Sequence, residues 1–390
     1  MKLKQQPDDF QVEEITEVQP GADGAFALYR LEKTGWSTPD ALAALRRRWR
    51  VEPRRLSYGG LKDRHAHTVQ FLTVFHGPRR NLHHHEVTVT YLGQVSAPFT
   101  SQDIASNRFH LTVRDLNGAA LPEIERRLGR VAAEGLPNYF DDQRFGSVAG
   151  EGGEFIARLL VRGRFEEALR LALTEPYEFD RAEQKQEKRL LIAHWGEWGR
   201  LLEQLPRGHA RSLVDYLRAH PADFRGAAIR LRPELRGLYL SAYQSHLWNR
   251  MLAHWLRAHC PADRLRPVHL RLGEVPFPEG LDAPLNEELA ALQLPLPSAR
   301  LKLEAGDPRA EAINAVLGEE GLALHDMQVR GVRELFFSRG ERAALCRPRQ
   351  LTFQAAPDER RPGRHKLLLH FELPRGSYAT LLVKAAAAGP

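Results

Sequence analysis

The sequence is poor in cysteine and has no long apolar run. Its 390 residues include two cysteines, Cys260 and Cys346, and no CxxC spacing. Two thiols are too few for a disulfide framework or a four-thiolate zinc site, and they fit a reducing compartment. No stretch approaches the roughly 18 consecutive apolar residues that a membrane-spanning helix needs. The first ten residues, Met1-Lys2-Leu3-Lys4-Gln5-Gln6-Pro7-Asp8-Asp9-Phe10, lack the apolar stretch of a secretory signal. These absences predict a soluble, cytoplasmic protein that makes no membrane contact.

Cofactor cradles are missing too. No GxxxxGK(S/T) phosphate loop occurs. Gly150-Glu151-Gly152-Gly153 fails to complete GxGxxG because position 155 is Phe155, so a dehydrogenase or methyltransferase would lack its dinucleotide cradle. HExxH and GxSxG are absent. His83-His84-His85 resembles a metal tract, but adjacent strand residues point to opposite faces, and three in a row cannot converge on one ion. It reads as an exposed loop entering a strand at Val87. No metal site and no cofactor is expected.

Hydrophobic residues make up 43% of the chain and charged residues 27%, which is ordinary for a globular protein and argues against wholesale disorder. The length suggests two domains. The net charge is +7 and the pI about 9.5, a balance that favours polyanionic partners. Only nine of the 56 basic residues are lysines. Arginine's planar fork suits phosphate, although codon bias accounts for much of this ratio.

Residues 1–115 read mostly as strands around one helix. Ala25–Leu31 is an apolar run of strand length. Thr38-Pro39-Asp40 starts the helix, with Thr38 as cap, Pro39 at the first helical position and Asp40 at the positive end of the dipole. Leu42, Leu45 and Trp49 form its buried stripe. Arg46, Arg47, Arg48 and Arg50, followed by Arg54 and Arg55, make the densest basic cluster in the chain. Val87–Tyr91 and Arg108–Arg114 alternate with period two, which predicts half-buried strands of an antiparallel sheet. Pro122–Glu134 reads as a helix ended by Gly135.

Beyond the Gly150–Gly153 break the texture turns helical, in Glu154–Leu173 and Leu238–His259. In the second, Leu240, Tyr243, Leu247 and Met251 share a face. Residues 260–300 are rich in proline and short elements. Strand character returns in Lys366–Leu373 and Tyr378–Lys384, and the tail Ala385–Pro390 reads as frayed. The expected fold class is α+β. Residues 1–150 and 341–390 would form a split domain on an antiparallel sheet, and 151–340 a large, mainly helical α/β insertion.

One segment combines unusual features: Tyr58-Gly59-Gly60-Leu61-Lys62-Asp63-Arg64-His65-Ala66-His67-Thr68-Val69-Gln70. Two glycines permit close backbone approach, and a carboxylate follows between cations that hold it ionised. Alone this could be a charged turn. It is similar, however, to the signature of the TruD family of tRNA pseudouridine synthases, roughly (F/Y)-(A/G)-G-x-K-D-(K/R)-x-A-x-T-x-Q. Tyr58, Gly60, Lys62, Asp63, Arg64, Ala66, Thr68 and Gln70 all comply. Further family segments recur in order. Pro7–Glu14 resembles P-x-D-F-x-V-x-E, and Leu31–Thr38 contains a counterpart of K-x-G-x-(N/S)-T. Asn107-Arg108-Phe109 resembles an N-x-F strand, and Leu136–Gly146 the element (V/L)-P-N-Y-F-x-x-Q-R-F-G. Ser241–Asn249 resembles S-x-x-(Q/R)-S-x-(L/Y)-(F/W)-N, and Leu373–Thr380 L-P-x-G-(S/A)-(F/Y)-A-T.

The resemblance implies a split pseudouridine-synthase catalytic domain, an inserted TruD-type domain and isomerisation of a uridine, uridine 13 of tRNA, without a cofactor. It implies Asp63 as the catalytic carboxylate, acting by attack on C1′ or as a base; both routes stay open. The family's lysine upstream of P-x-D-F falls on Lys4, with Lys62 as the competing partner of Asp63. Phe10 and Tyr378 become the aromatic candidates for the flipped uridine and Asn107 the polar one. Tyr378 departs from the commoner Phe. Phe109 would lie behind the site or serve as a core aromatic, and Glu14 would orient a neighbouring base. The RNA is expected in a groove between the two domains, and the protein as a monomer. A binding protein that had lost the chemistry and a metal-dependent nuclease are the rival readings. The intact Asp63 motif opposes the first, and the poor histidine geometry the second.

Overall fold

In the computed structural model, which describes residues 1–148, 153–177 and 180–387, the chain divides into two units. The first joins Met1–Asn138 to Leu345–Pro390, and the second is Tyr139–Ala344. The first cut falls ahead of the Gly150–Gly153 break, of which Gly150, Glu151 and Gly152 lie outside the described residues. Side chains explain the position of the cut. The Phe140 amide donates to Asn249 Oδ1 at 2.8 Å, and the Tyr139 hydroxyl to the Pro276 carbonyl at 3.0 Å. Residues just past Asn138 are therefore tied to the second unit.

The first unit is built on nine strands. In chain order they are β1 (Phe10–Ile15), β2 (Phe26–Thr34), β3 (Leu56–Tyr58), β4 (His67–Phe75), β5 (Leu82–His84), β6 (Val87–Val95), β7 (Ser106–Leu116), β8 (Arg349–Pro357) and β9 (His365–Pro374). Their order across the sheet is β8-β9-β7-β1-β4-β2-β6-β5. β1 and β3 both pair with β4, β1 at His67–Val69 and β3 at Leu72–Val74. The sheet is mixed rather than antiparallel throughout, because β1 runs parallel to β4. Two strands separated by β2, a helix and β3 have the connection length that parallel pairing requires.

One face of this sheet is apolar. Period-two alternation sets Phe10 and Val12 of β1 on it, with Phe109, Leu111 and Val113 of β7 and Leu367, Leu369 and Phe371 of β9. Helix α1 (Thr38–Trp49) packs Ala41, Leu42 and Leu45 against Tyr29, Leu31, Leu72 and Val74. Helix α2 (Leu121–Glu134), ended by Gly135 at φ +89°, packs with a C-terminal helix, Ala379–Ala387.

Two local expectations fail. Of Tyr378–Lys384, read as a strand, Ala379–Lys384 is the start of that C-terminal helix. A short apolar run cannot be assigned by periodicity alone. The following alanines are strong helix formers, and Leu381, Leu382, Val383, Ala385 and Ala386 are all buried. Ala385 and Ala386 are thus not frayed, while Ala388–Pro390 lie outside the described residues. Ser37, not Thr38, caps α1: its hydroxyl accepts from the Asp40 amide at 3.2 Å. Thr38 is the first helical residue, and its hydroxyl is engaged elsewhere.

The second unit is mainly helical. Short helices α3 (Ile156–Val161) and α4 (Phe165–Thr174) are separated by a turn at Gly163, φ +74°. Next come α5 (Ala182–Ala193), α6 (Trp198–Gln204), α7 (His209–Ala219) and α8 (Phe224–Ile229), then the long α9 (Pro233–His259). Tyr243, Leu247, Trp248 and Met251 of α9 are fully buried. Helices α10 (Ala283–Ala291) and α11 (Ala310–Glu319) and two two-stranded ribbons complete the unit. The motif segments 136–146 and 241–249 meet here. Asn249 brackets Phe140 through both its amide N–H and its carbonyl, and Phe140 packs edge-on to Trp248 at 5.5 Å. Among the described residues no helix is long and apolar enough to cross a membrane.

Candidate active site

Polar side chains interrupt the apolar face of the sheet on four neighbouring strands. On β2, Lys33 follows Ala27, Tyr29 and Leu31 in the same period-two row. On β4, Thr68 and Gln70 precede Leu72 and Val74. Glu14 continues the row of Phe10 and Val12 on β1, and Asn107 begins the row of Phe109 on β7. Lys33 is the strand partner of Thr68, and Glu14 of Asn107. All five are buried. Buried polar groups demand partners. The loop 59–66 supplies them for Lys33, Gln70, Glu14 and Asn107, while the Thr68 hydroxyl has no hydrogen-bond partner among the described residues.

That loop is strapped down by its backbone. The Gln70 side-chain amide donates to the Gly60 carbonyl at 3.1 Å. Thr38 Oγ1 donates to Gln70 Oε1 at 2.8 Å and accepts from the Lys62 amide at 3.0 Å. This double duty explains why Thr38 does not cap its own helix. Gly59 is needed for close approach, since a Cβ there would lie 2.5 Å from Ile104 Cδ1. The Gly35 amide holds the far end of the loop at the Ala66 carbonyl, 3.3 Å away.

Thus held, the loop carries Asp63 to a cation. Lys4 Nζ donates to Asp63 Oδ2 at 2.7 Å, and the two side chains are 25% and 19% exposed. The pair is reachable from solvent without being surrounded by it. Lys33 Nζ donates to the Asp63 main-chain carbonyl at 3.0 Å. Burial lowers the pKa of Lys33 to about 8, against the attraction of Asp63 and with some help from Lys62.

Lys62 points to a different set of partners. Its ammonium lies 3.0 Å from Glu14 Oε1 and donates to Asn107 Oδ1 at 2.6 Å. The other Glu14 oxygen accepts from the Phe71 amide at 2.9 Å. Burial raises the Glu14 pKa, and Lys62 works against that rise. Of the two lysines weighed as partners of Asp63, Lys4 reaches the carboxylate, and Lys62 is engaged by Glu14 and Asn107.

The aromatic candidates form a stack behind the ion pair. The Lys4 ammonium sits 4.0 Å from the Phe10 ring centre, a cation–π contact. Phe10 meets Phe109 edge-on at 6.2 Å, and Phe109 stacks on Phe371 at 5.4 Å. Phe10 and Phe109 are buried. Tyr378 is half-buried just before the C-terminal helix, and its carbonyl accepts from the Leu381 amide at 3.1 Å. It lies four residues beyond Pro374, whose strand partner Ser106 adjoins Asn107.

Lys4 owes its place to an anchored N-terminal segment. It has φ +59°, a left-handed conformation that non-glycine residues adopt only under constraint. On one side, Lys2 exchanges two main-chain hydrogen bonds with Arg114, both 2.8 Å. On the other, Asp9 Oδ1 accepts from Arg114 Nε at 2.9 Å. Arg114 is buried and also reaches Asp358 at 3.0 Å and Glu359 at 2.9 Å. Arg360 donates to Gln6. The sequence reading missed Lys33, Thr38 and Arg114. A signal existed for Lys33: a lone lysine in line with Ala27, Tyr29 and Leu31.

Comparisons with known proteins place the whole chain in one family. A family model described as tRNA pseudouridine synthase D (TruD) matches residues 1–385. The chain is 30% identical over 394 residues to a probable tRNA pseudouridine synthase D 1 of Methanococcus maripaludis, covering 98% of both chains. It is 28% identical over 402 residues to the tRNA pseudouridine synthase D of Aquifex aeolicus, covering 98% of this chain and 97% of the relative. Its fold resembles the crystal structure of a putative tRNA pseudouridine synthase D from Methanosarcina mazei. The TM-score is 0.71 at 27% identity, over 99% of this chain and 93% of that one. The family model spans residues 1–385, and that match from end to end makes this chain a pseudouridine synthase of the TruD family.

Proposed function

We propose that this enzyme converts uridine 13 of tRNA to pseudouridine, with Asp63 as the acting carboxylate and Lys4 as the cation that pairs with it and fixes its position. The observation that supports this reading is the 2.7 Å pair of Lys4 and Asp63 at the rim of a buried polar cluster. The reaction breaks the N1–C1′ bond of the nucleotide. The uracil turns, C5 joins C1′, the C5 proton leaves and N1 takes up a proton. Nothing else is gained or lost, so one carboxylate near the sugar suffices. If Asp63 attacks C1′, its oxygen takes the bond that N1 gives up. If it acts as a base, it removes a sugar proton and returns it later. Either route needs an ionised oxygen in a fixed position. The Lys33 bond to the Asp63 carbonyl supports the second requirement.

Glu14, Lys62 and Asn107 are proposed to form the polar wall that meets the edge of the flipped uracil, and Tyr378 to stack on it. Phe10 and Phe109 are proposed to act from behind, by supporting Lys4. The RNA is proposed to contact both units, and the enzyme to act as a monomer in the cytoplasm.

The test is tritium release from 5-labelled uridine in tRNA, combined with mapping of pseudouridine in the product. Wild type should release label in step with pseudouridine at position 13. Asp63→Asn should release none while still retaining tRNA on a filter. Release by Asp63→Asn at the wild-type rate would sink the assignment. Lys4→Met should lose most turnover; full activity with an unchanged pH profile would remove Lys4 from the mechanism.

A further inference from the structure

The densest basic cluster in the sequence has a second half, supplied by another element. Helix α1 ends in Arg46, Arg47 and Arg48, followed by Arg50 as its left-handed cap at φ +54°. Arg47, Arg48 and Arg50 are exposed. The β5–β6 hairpin brings His84 and His85 to the same place, while His83 turns to Thr88 Oγ1 at 3.0 Å. Arg48 Nη2 lies 2.9 Å from His84 Nδ1. Trp36 meets the His84 ring edge-on at 5.8 Å and stacks with His85 at 6.5 Å.

Cations at a helix C-terminus complement its dipole, and that would account for the arginines alone. It does not account for His84 and His85, on a different element, meeting Arg48 and Trp36. Nor are these charges neutralised. Among the described residues, no carboxylate forms an ion pair with Arg46, Arg47, Arg48 or Arg50, and the nearby Glu52 is taken by Arg54 at 2.6 Å. The field is felt locally: the His84 pKa is lowered by burial first, then by Arg48, His85, Arg47 and His83.

The patch is tied to the catalytic loop. The Thr34 amide donates to the Glu86 carbonyl of the hairpin at 3.0 Å, and the Gly35 amide to Ala66 of the loop at 3.3 Å. Trp36 is the next residue. At the other end of α1, Thr38 holds the Lys62 amide. Twelve helical residues separate Thr38 from Trp49 inclusive, which is about 18 Å of helix. A nucleic acid presenting one nucleotide to Asp63 could lay its neighbouring phosphates across this distance.

We propose that Trp36, Arg47, Arg48, His84 and His85 form a docking surface for the sugar–phosphate backbone of the RNA beside its target uridine. The proposal rests on the pseudouridine synthase reading of the site. The guanidinium groups engage phosphate oxygens, the imidazoles donate to them, and Trp36 supplies a flat apolar edge for a sugar or an unstacked base. The contacts are to the backbone, so they position the RNA without reading its sequence.

The test is steady-state turnover of full-length tRNA by R47E/R48E and by the neutral R47Q/R48Q, at several salt concentrations. In parallel, filter binding of tRNA uses the same pairs in an Asp63→Asn background. Each lost phosphate contact removes about 0.9 from the slope of log affinity against log salt. The neutral pair should therefore flatten that slope by about 2 and raise KM about tenfold with kcat within twofold. The charge-reversed pair should raise KM further. A slope and KM equal to wild type, or a fall in kcat with KM unchanged, overturns the proposal. Failure of the enzymatic reading shows up differently: wild type would release no tritium, while the binding slopes would still report on the surface.

Discussion

Lys33 offers a test in which stability and activity move in opposite directions. Its side chain is wholly buried, and burial lowers its pKa from the ordinary 10.5 to about 8. At about 1.4 kcal/mol per tenfold change in proton affinity, that is roughly 3 kcal/mol against the charged form in the folded chain. Lys33→Met keeps the length and drops the charge. It also gives up the 3.0 Å bond to the Asp63 carbonyl, worth about 1 kcal/mol. At pH 7 the variant should be more stable than wild type by about 2 kcal/mol. The pH dependence fixes the cause. The folded chain releases the Lys33 proton near pH 8, and the unfolded chain near 10.5. Between these values the unfolded state binds the extra proton, so wild type gains stability as pH rises through the window. The variant has no such gain, and its advantage should vanish by about pH 10.5. Urea unfolding followed by tryptophan fluorescence at pH 7 and pH 10 reads both effects. Turnover should meanwhile drop about tenfold or more, because the loop that carries Asp63 loses an anchor. A variant less stable than wild type at pH 7, or a stability gap indifferent to pH, would refute the reasoning.

Other perturbations follow from the same cluster. Lys62→Met leaves the buried Glu14 carboxylate without its cation and should cost about 3–5 kcal/mol; adding Glu14→Gln should restore most of it, as a urea double-mutant cycle would read. Arg114→Met strands Asp9 and Asp358 in the interior at a similar cost of about 3–5 kcal/mol. It should also lower kcat at temperatures where the protein stays folded, because it frees the segment that holds Lys4. Thr38→Val removes a hydroxyl that both donates and accepts in the loop strap. Unfolding should become easier by about 1–3 kcal/mol, with kcat falling more than KM rises. tRNA affinity should weaken steeply between 50 and 200 mM salt; an affinity flat across that range would argue against a phosphate-binding enzyme.

Much of the site could be read before the fold was known, for a physical reason. Asp63, Lys62 and the paired glycines lie on one short loop whose chemistry is local. Glu14 and Asn107 entered only through the family motifs that carry them. Lys33 belongs to the Leu31–Thr38 motif segment, yet its role depends on register: only the pairing of β2 with β4 shows that it lies beneath the Asp63 loop. Thr38 was misread because both of its partners, Gln70 and the Lys62 amide, are distant in sequence, and local capping rules cannot see them. The C-terminal helix was taken for a strand because burial on nearly every side erases period. The parallel pairing of β1 with β4 was missed because alternation is identical in parallel and antiparallel strands that bury one face.

The split of the sheet has a consequence for synthesis on the ribosome. Strands β1 to β7 and the loop bearing Asp63 all emerge before Asn138, whereas β9, which pairs with β7 along Ser106–Leu116, follows the whole of Tyr139–Ala344. At about 5–20 residues per second, those roughly 200 residues keep one edge of β7 unpaired for about 10–40 s. Through that interval Phe109, Leu111 and Val113 lack their cover from β9, and an open edge invites pairing with other chains. A nascent chain ending at Ala344 would carry the aspartate, the three lysines and Glu14, yet lack the strand beside Asn107. Competence for catalysis therefore arrives only with the last tenth of the protein, and the second unit folds while the first waits for its missing strands.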